Sequence, residues 1–205
     1  MDLLERAMPG VRIALDFGDD VQLLVSVILS AQSTDAGVNR ATPALFARFP
    51  DAAAYAAADP EALWPFIRSL GLYRNKAKAI VAAMRAISEH HGGSVPRTRE
   101  ALEALPGVGP KTAGVVLVHL GAGNAFPVDT HVGRLARRLG LSREEDPSKV
   151  ERDLRALLPE ARWAKGHQLL VWHGRRICSA RAPACSRCAV EALCPKRGVA
   201  REIRR

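Results

Sequence analysis

The chain holds four cysteines, and all of them fall within residues 178–194, as Cys178, Cys185, Cys188 and Cys194. Four thiolates that close together suit a tetrahedral zinc ion or a [4Fe–4S] cluster. Structural zinc usually pairs two short Cys-x2–4-Cys knuckles. Only Cys185 and Cys188 form one here, and the wide outer spacings of six and five favour the larger cluster. Disulfides fit poorly. An intracellular chain rarely keeps them, and two bridges in this loop would leave the rest of the protein unstapled.

The second reactive pattern is a glycine-rich turn, Leu105-Pro106-Gly107-Val108-Gly109-Pro110-Lys111. Ala101, Leu102 and Leu105 predict a short amphipathic helix before it. Pro110 fits the first turn of a helix after it, where a missing N–H costs nothing, and Gly121 lies just past that helix's end. The pattern is a helix–hairpin–helix. Gly107 and Gly109 let the backbone approach a partner closely. The free N–H groups of the second helix favour an anion, so the turn suits a phosphate gripped without reading a base. A plain helical hairpin with a glycine stop is the blander alternative. Lys111 stands at the positive end of that helix, an unfavourable place for a cation. It serves either as a second phosphate contact or as an amine nucleophile. Asp129, in Phe126-Pro127-Val128-Asp129-Thr130-His131, reads first as the N-cap of the next helix.

The elements that must position these groups read as helices throughout. Ala77, Ile80, Val81, Met84 and Ile87 follow a 3–4 rhythm over 76–90, ended by Gly92-Gly93. Val150, Leu154, Leu157 and Leu158 repeat it over 149–158, with Asp146 as N-cap and Pro147 as first helical residue. Over 130–139 the rhythm puts Val132, Leu135, Ala136 and Leu139 on one face and Arg134, Arg137 and Arg138 mostly on the other. Leu23–Leu29 and Val115–Leu120 are apolar nearly all round and belong at a centre. No run alternates like a strand, so the fold class is all-α. No flexible linker, repeat or low-complexity segment appears.

Charge is segregated. Residues 1–123 carry 12 basic and 12 acidic side chains, and residues 124–205 carry 18 and 9, so the whole surplus of +9 lies in the last segment. Such a surplus expects a polyanion, either nucleic acid or an acidic membrane surface. The apolar runs reach about half the ~20 residues that span a bilayer, and the N-terminus lacks a secretory pattern. The expectation is a soluble cytoplasmic protein, nucleoid-associated if bacterial. His90, His91, His119, His167 and His173 show no ligand spacing and read as structural or surface residues.

Taken together, these motifs resemble the endonuclease III family, the iron–sulfur helix–hairpin–helix DNA glycosylases. L-P-G-V-G-x-K-T-A at 105–113, V-D-T-H at 128–131 and the four-cysteine pattern carry the resemblance. Leu29-Ser30-Ala31-Gln32-Ser33-Thr34-Asp35, Gly71-Leu72-Tyr73 and His173-Gly174-Arg175 extend it in order from about residue 20 to 195.

The resemblance implies a six-helix barrel domain at 13–123 and a cluster domain made of 1–12 and 124–205, with DNA between them. It implies a monomeric base-excision-repair enzyme acting on double-stranded DNA with damaged pyrimidines or abasic sites. Lys111 would attack C1′ of a flipped nucleotide, and the resulting Schiff base would permit β-elimination. Asp129 would stabilise the cationic sugar and help activate the amine. Gln32 and Leu72 would fill the gap left in the duplex, an apolar wedge being reasonable at a kinked step. Asp35 and His131 would line the cleft, and the four cysteines would hold a [4Fe–4S] cluster. The loop they form would bring Arg181, Arg187 and nearby Lys196 to phosphate.

Pro110 and Gly114 depart from the family pattern, replacing a common basic and a common polar residue. Two other functions stay open. An adenine-mismatch glycosylase would lack the lysine at 111 and carry a further C-terminal domain. A non-catalytic DNA-binding protein would use Lys111 only as a phosphate contact.

Overall fold

The computed structural model describes residues 1–122 and 125–199. Every regular element among them is helical, as the 3–4 spacing requires. In chain order these are α1 (Asp2–Ala7), α2 (Asp20–Ser30), α3 (Asp35–Arg48), α4 (Ala52–Ala56), α5 (Trp64–Ile67) and α6 (Tyr73–His90). There follow α7 (Arg99–Glu103), α8 (Pro110–His119), α9 (Thr130–Arg138), α10 (Pro147–Leu157) and α11 (Trp163–Arg176). None of the described helices is long and apolar enough to cross a membrane. The chain divides into two compact units, one of Ile13–Ala122 and one joining Met1–Arg12 to the chain beyond Ala122. The boundary expected at 123/124 lies outside the described residues.

In the Ile13–Ala122 unit, α2 is the central helix and packs on α3, α6 and α8. Its residues Leu23, Leu24, Val25, Val27, Ile28 and Leu29 are all buried, as expected of a segment apolar on every side. The helix α6 is amphipathic and buries Ala77, Ile80, Val81, Ala83, Met84 and Ile87. It begins at Tyr73, earlier than the apolar rhythm predicts, because its first turn is largely polar and only Lys76 there is buried. Side-chain oxygens of Asp19, Thr34, Asp51 and Thr98 cap α2, α3, α4 and α7, each satisfying an otherwise unpaired N–H.

In the other unit, α9 packs on α11 and α10 around Phe126, Val132, Leu135, Val150, Leu154, Leu169 and Leu170. Helix α1 joins this core through Leu4. Arg162 donates to Asp2 Oδ1 at 2.8 Å and Glu5 Oε2 at 3.1 Å. Trp172 Nε1 donates to Arg12 O at 2.7 Å. These bonds tie the first twelve residues to α11 and to the residue just before it, more than 150 positions along the chain.

One expectation fails in α9. The periodicity puts its arginines mostly on the solvent face, yet Arg138 is only 8 % exposed and Arg134 is half-buried. Arg138 donates to Ser179 O at 2.6 Å and Ala180 O at 2.7 Å. Arg134 donates to Gly174 O at 2.9 Å and Cys178 O at 3.2 Å. The segment after Cys178 has no helix to satisfy its carbonyls, and a guanidinium offers a rigid fork of donors that can. Part of the basic surplus is therefore used inside the unit.

Two substitutions in α10 separate capping from packing. Asp146 accepts from the N–H groups of Ser148 and Lys149, both at 3.0 Å, so Asp146→Ala is expected to lower stability by about 1 kcal/mol. Leu154 is fully buried, and Leu154→Ala is expected to cost about 2–5 kcal/mol. Urea denaturation of the two variants measures both.

Candidate functional site

The glycine-rich turn lies in the Ile13–Ala122 unit, between α7 and α8, which pack against each other. Its two glycines do different work. Gly107 has φ +77, and a Cβ there would lie 2.5 Å from the Cβ of Ala79 on α6. The close approach that requires glycine is thus to the protein's own helix. Gly109 has an ordinary φ of −92 and open space where a Cβ would go. It is the N-cap of α8 and supplies no side-chain cap. The first N–H groups of α8 therefore stand uncapped beside an exposed backbone, a fit for an anion. Lys111 is exposed in this same first turn, and Gly114, one turn on, is buried.

Two more expected residues of this unit come together. Gln32 and Leu72 both adopt left-handed backbone, with φ of 52 and 57. Such angles are uncommon outside glycine and mark a conformation imposed by surroundings. Gln32 follows the end of α2, and Leu72 is the N-cap of α6. A Cβ on Gly71 would lie 3.4 Å from Gln32 O, so the two turns touch. Leu72 is 55 % exposed, one of few large apolar side chains so open to solvent. Asp35 is half-buried at the start of α3, just past the Gln32 turn.

In the other unit Asp129 caps α9, its Oδ1 accepting from Val132 N–H at 2.8 Å. The N-cap expectation holds and commits one carboxylate oxygen, leaving Oδ2 for another partner. His131 is half-buried, with Nδ1 3.1 Å from Arg134 Nη2. Its ring packs against the backbone at Gly174, where a Cβ would lie 3.0 Å from His131 Cβ.

Cys178, Cys185, Cys188 and Cys194 are free thiols lining one cavity. Among the described residues no three His, Cys, Asp or Glu side chains gather tightly enough to hold a single ion. Two donors are aimed at sulfur, Arg138 Nη1 at 3.3 Å from Cys178 Sγ and Lys196 N–H at 3.3 Å from Cys194 Sγ, and His173 Nε2 lies 3.3 Å from Cys188 Sγ. Burial pushes the Cys188 thiol up, so a thiolate there needs a positive centre beside it.

Spacing did not reveal Arg138, which reaches Cys178 from a helix 40 positions away, or His173, whose place near Cys188 depends on how the loop folds back on α11. Arg181 and Arg187 are exposed on the loop. Lys196, expected to reach phosphate, instead pairs with Glu191 Oε1 at 2.7 Å.

Residues 25–160 match the family model described as HhH-GPD superfamily base excision DNA repair protein. The chain is 48 % identical to an endonuclease III of Synechocystis over 94 % of its own length and 89 % of that protein. It is 42 % identical to an endonuclease III of Bacillus subtilis, covering 95 % and 89 %. Among solved structures it is similar to that of a trapped endonuclease III–DNA covalent intermediate, with TM-score 0.88, 38 % identity, and 95 % and 92 % of the two chains covered.

The two glycines of the turn are separable by substitution. Gly107→Ala combines a left-handed backbone with a steric clash and is expected to cost about 2–4 kcal/mol. Gly109→Ala is expected to change stability by less than about 0.5 kcal/mol while weakening DNA binding by crowding the uncapped N–H groups. Thermal denaturation and a salt-controlled DNA titration of each variant check both outcomes.

Proposed function

That the chain belongs to the HhH-GPD superfamily of base excision DNA repair proteins is the premise from which we propose its chemistry: a DNA glycosylase and abasic-site lyase that uses Lys111 as its nucleophile. The observation that carries this reading is an exposed lysine in the first turn of an uncapped helix, behind a turn built for phosphate. The family endonuclease III, to which the compared relatives belong by name, supports it.

In this reading the turn at Gly107–Gly109 grips a backbone phosphate of double-stranded DNA, and the damaged pyrimidine nucleotide leaves the stack. The amine of Lys111, freed of its proton, shares its electron pair with C1′ as the bond from C1′ to the base breaks. The base departs with that bonding pair and takes up a proton. Ring opening leaves an iminium between Lys111 and C1′. Loss of a proton from C2′ then expels the oxygen at C3′, cutting the strand. The Oδ2 of Asp129 provides the negative charge that favours the cationic sugar and helps take the proton from the amine. Gln32 and Leu72 fill the vacated place in the stack, and Asp35 and His131 contribute to the walls around the nucleotide. Arg181 and Arg187 add phosphate contacts. The protein acts as a cytoplasmic monomer.

Cys178, Cys185, Cys188 and Cys194 would hold a [4Fe–4S] cluster, which supplies a clamp on residues 178–194 and no step of the reaction. Four cysteine sulfurs lining one cavity, the donor set that such a cluster takes, support this reading.

Incubation with thymine-glycol duplex and borohydride tests the reading. A covalent protein–DNA adduct is expected from the wild type and none from Lys111→Ala. An adduct persisting in the variant places the nucleophile elsewhere. Binding with neither adduct nor base release supports a non-catalytic role. Metal analysis gives a second result: iron and a brown colour are expected, and a colourless protein with stoichiometric zinc overturns the cluster.

A further inference from the structure

Lys76 is 5 % exposed, an unusual place for an ammonium group. It lies in the first turn of α6, where the helix dipole disfavours a cation. Its Nζ donates to Leu29 O at 2.8 Å and to Ser33 Oγ at 2.7 Å. Both acceptors are uncharged, and burial holds its pKa below the ordinary lysine value. The compensation comes from α2. Leu29 O is one of the last carbonyls of that helix, which have no partner within it and carry the negative end of its dipole.

The placement has a geometric consequence. Leu29 and Ser33 flank Gln32 on either side, so the ammonium spans the turn that holds Gln32. The N–H of Lys76 also donates to Leu72 O at 3.0 Å. One residue therefore bonds both left-handed turns, by side chain to the first and by backbone to the second. Capping a helix end takes only a neutral donor, whereas an extended four-carbon stem ending in three donors reaches across from α6 and holds two acceptors at once.

We propose that Lys76 is the positioning residue that locks Gln32 and Leu72 into one two-pronged wedge, so that duplex DNA meets both side chains already placed. The inference rests on the reading above that these two residues fill the gap in the stack. Without the lysine the two turns drift independently, and the wedge must be ordered at the moment of insertion.

The test uses the full-length protein with Lys76→Met, which keeps the stem and removes the donors. The substrate is one abasic-site oligonucleotide, offered as single strand and in duplex, and the readout is the ratio of borohydride-trapping rates on the two. Only the duplex has a gap to fill. Lys76→Met is expected to lower the duplex rate about tenfold and to leave the single-strand rate unchanged. Equal losses on both substrates, or no loss on duplex, overturn the proposal.

Should Lys76→Met fail to fold, Ser33→Ala decides, since it removes one acceptor and leaves the lysine. A smaller, duplex-selective loss supports the proposal, and an unchanged ratio overturns it. Leu72→Ala separates the two readings. An unchanged ratio in that variant removes the wedge itself and this inference with it. A duplex-selective loss in Leu72→Ala but not in Lys76→Met removes the role of Lys76 alone.

Discussion

A protein made only of helices must dispose of the polar backbone groups at every helix end. Each α-helix leaves four N–H and four C=O groups without internal partners. Here those ends are where the candidate functional groups stand. Asp129 closes the start of α9. Lys111 stands at the start of α8, which Gly109 leaves uncapped. Lys76 satisfies a carbonyl at the end of α2, and Leu72 opens α6. The groups proposed to act on DNA are thus held by the same bonds that finish the helices.

The arginines of α9 show the same economy in a different form. The loop carrying the cysteines has short helical turns at Cys185–Arg187 and Glu191–Leu193 and little other regular structure. Its carbonyls look inward for donors, and Arg134 and Arg138 supply them. The same guanidinium of Arg138 also approaches Cys178 Sγ. Charges that look like a nucleic-acid face in composition turn out partly to hold the cysteine loop together. The net surplus still stands in this segment, but Arg181, Arg187 and others on the surface carry the outward share of it.

Much of this was legible beforehand, because local chemistry controls it. Asp146 and Pro147 announce the start of α10, and α10 begins at Pro147. Asp129 is read as an N-cap and is one. The crowding of four cysteines in one short loop is a property of the chain itself, and so is the break at Pro106-Gly107. The meaning of Gly107 was not legible. A glycine in a turn reads as room for a partner, whereas here the room is filled by Ala79 from α6. Sequence spacing reports that a side chain is missing, not which neighbour needs its absence.

The amino-acid order by itself determined the helical class, the caps, the hairpin and the set of possible metal ligands. Each of these depends on residues within about one or two turns of each other. Tertiary structure alone decided that Lys76 is buried, that Arg134 and Arg138 face the cysteine loop, and that the turns of Gln32 and Leu72 touch. Those facts join residues some 40 positions apart. A lysine or arginine is exposed by default, since desolvating its charge is costly. Only the folded chain shows where unpaired carbonyls have gathered to receive it.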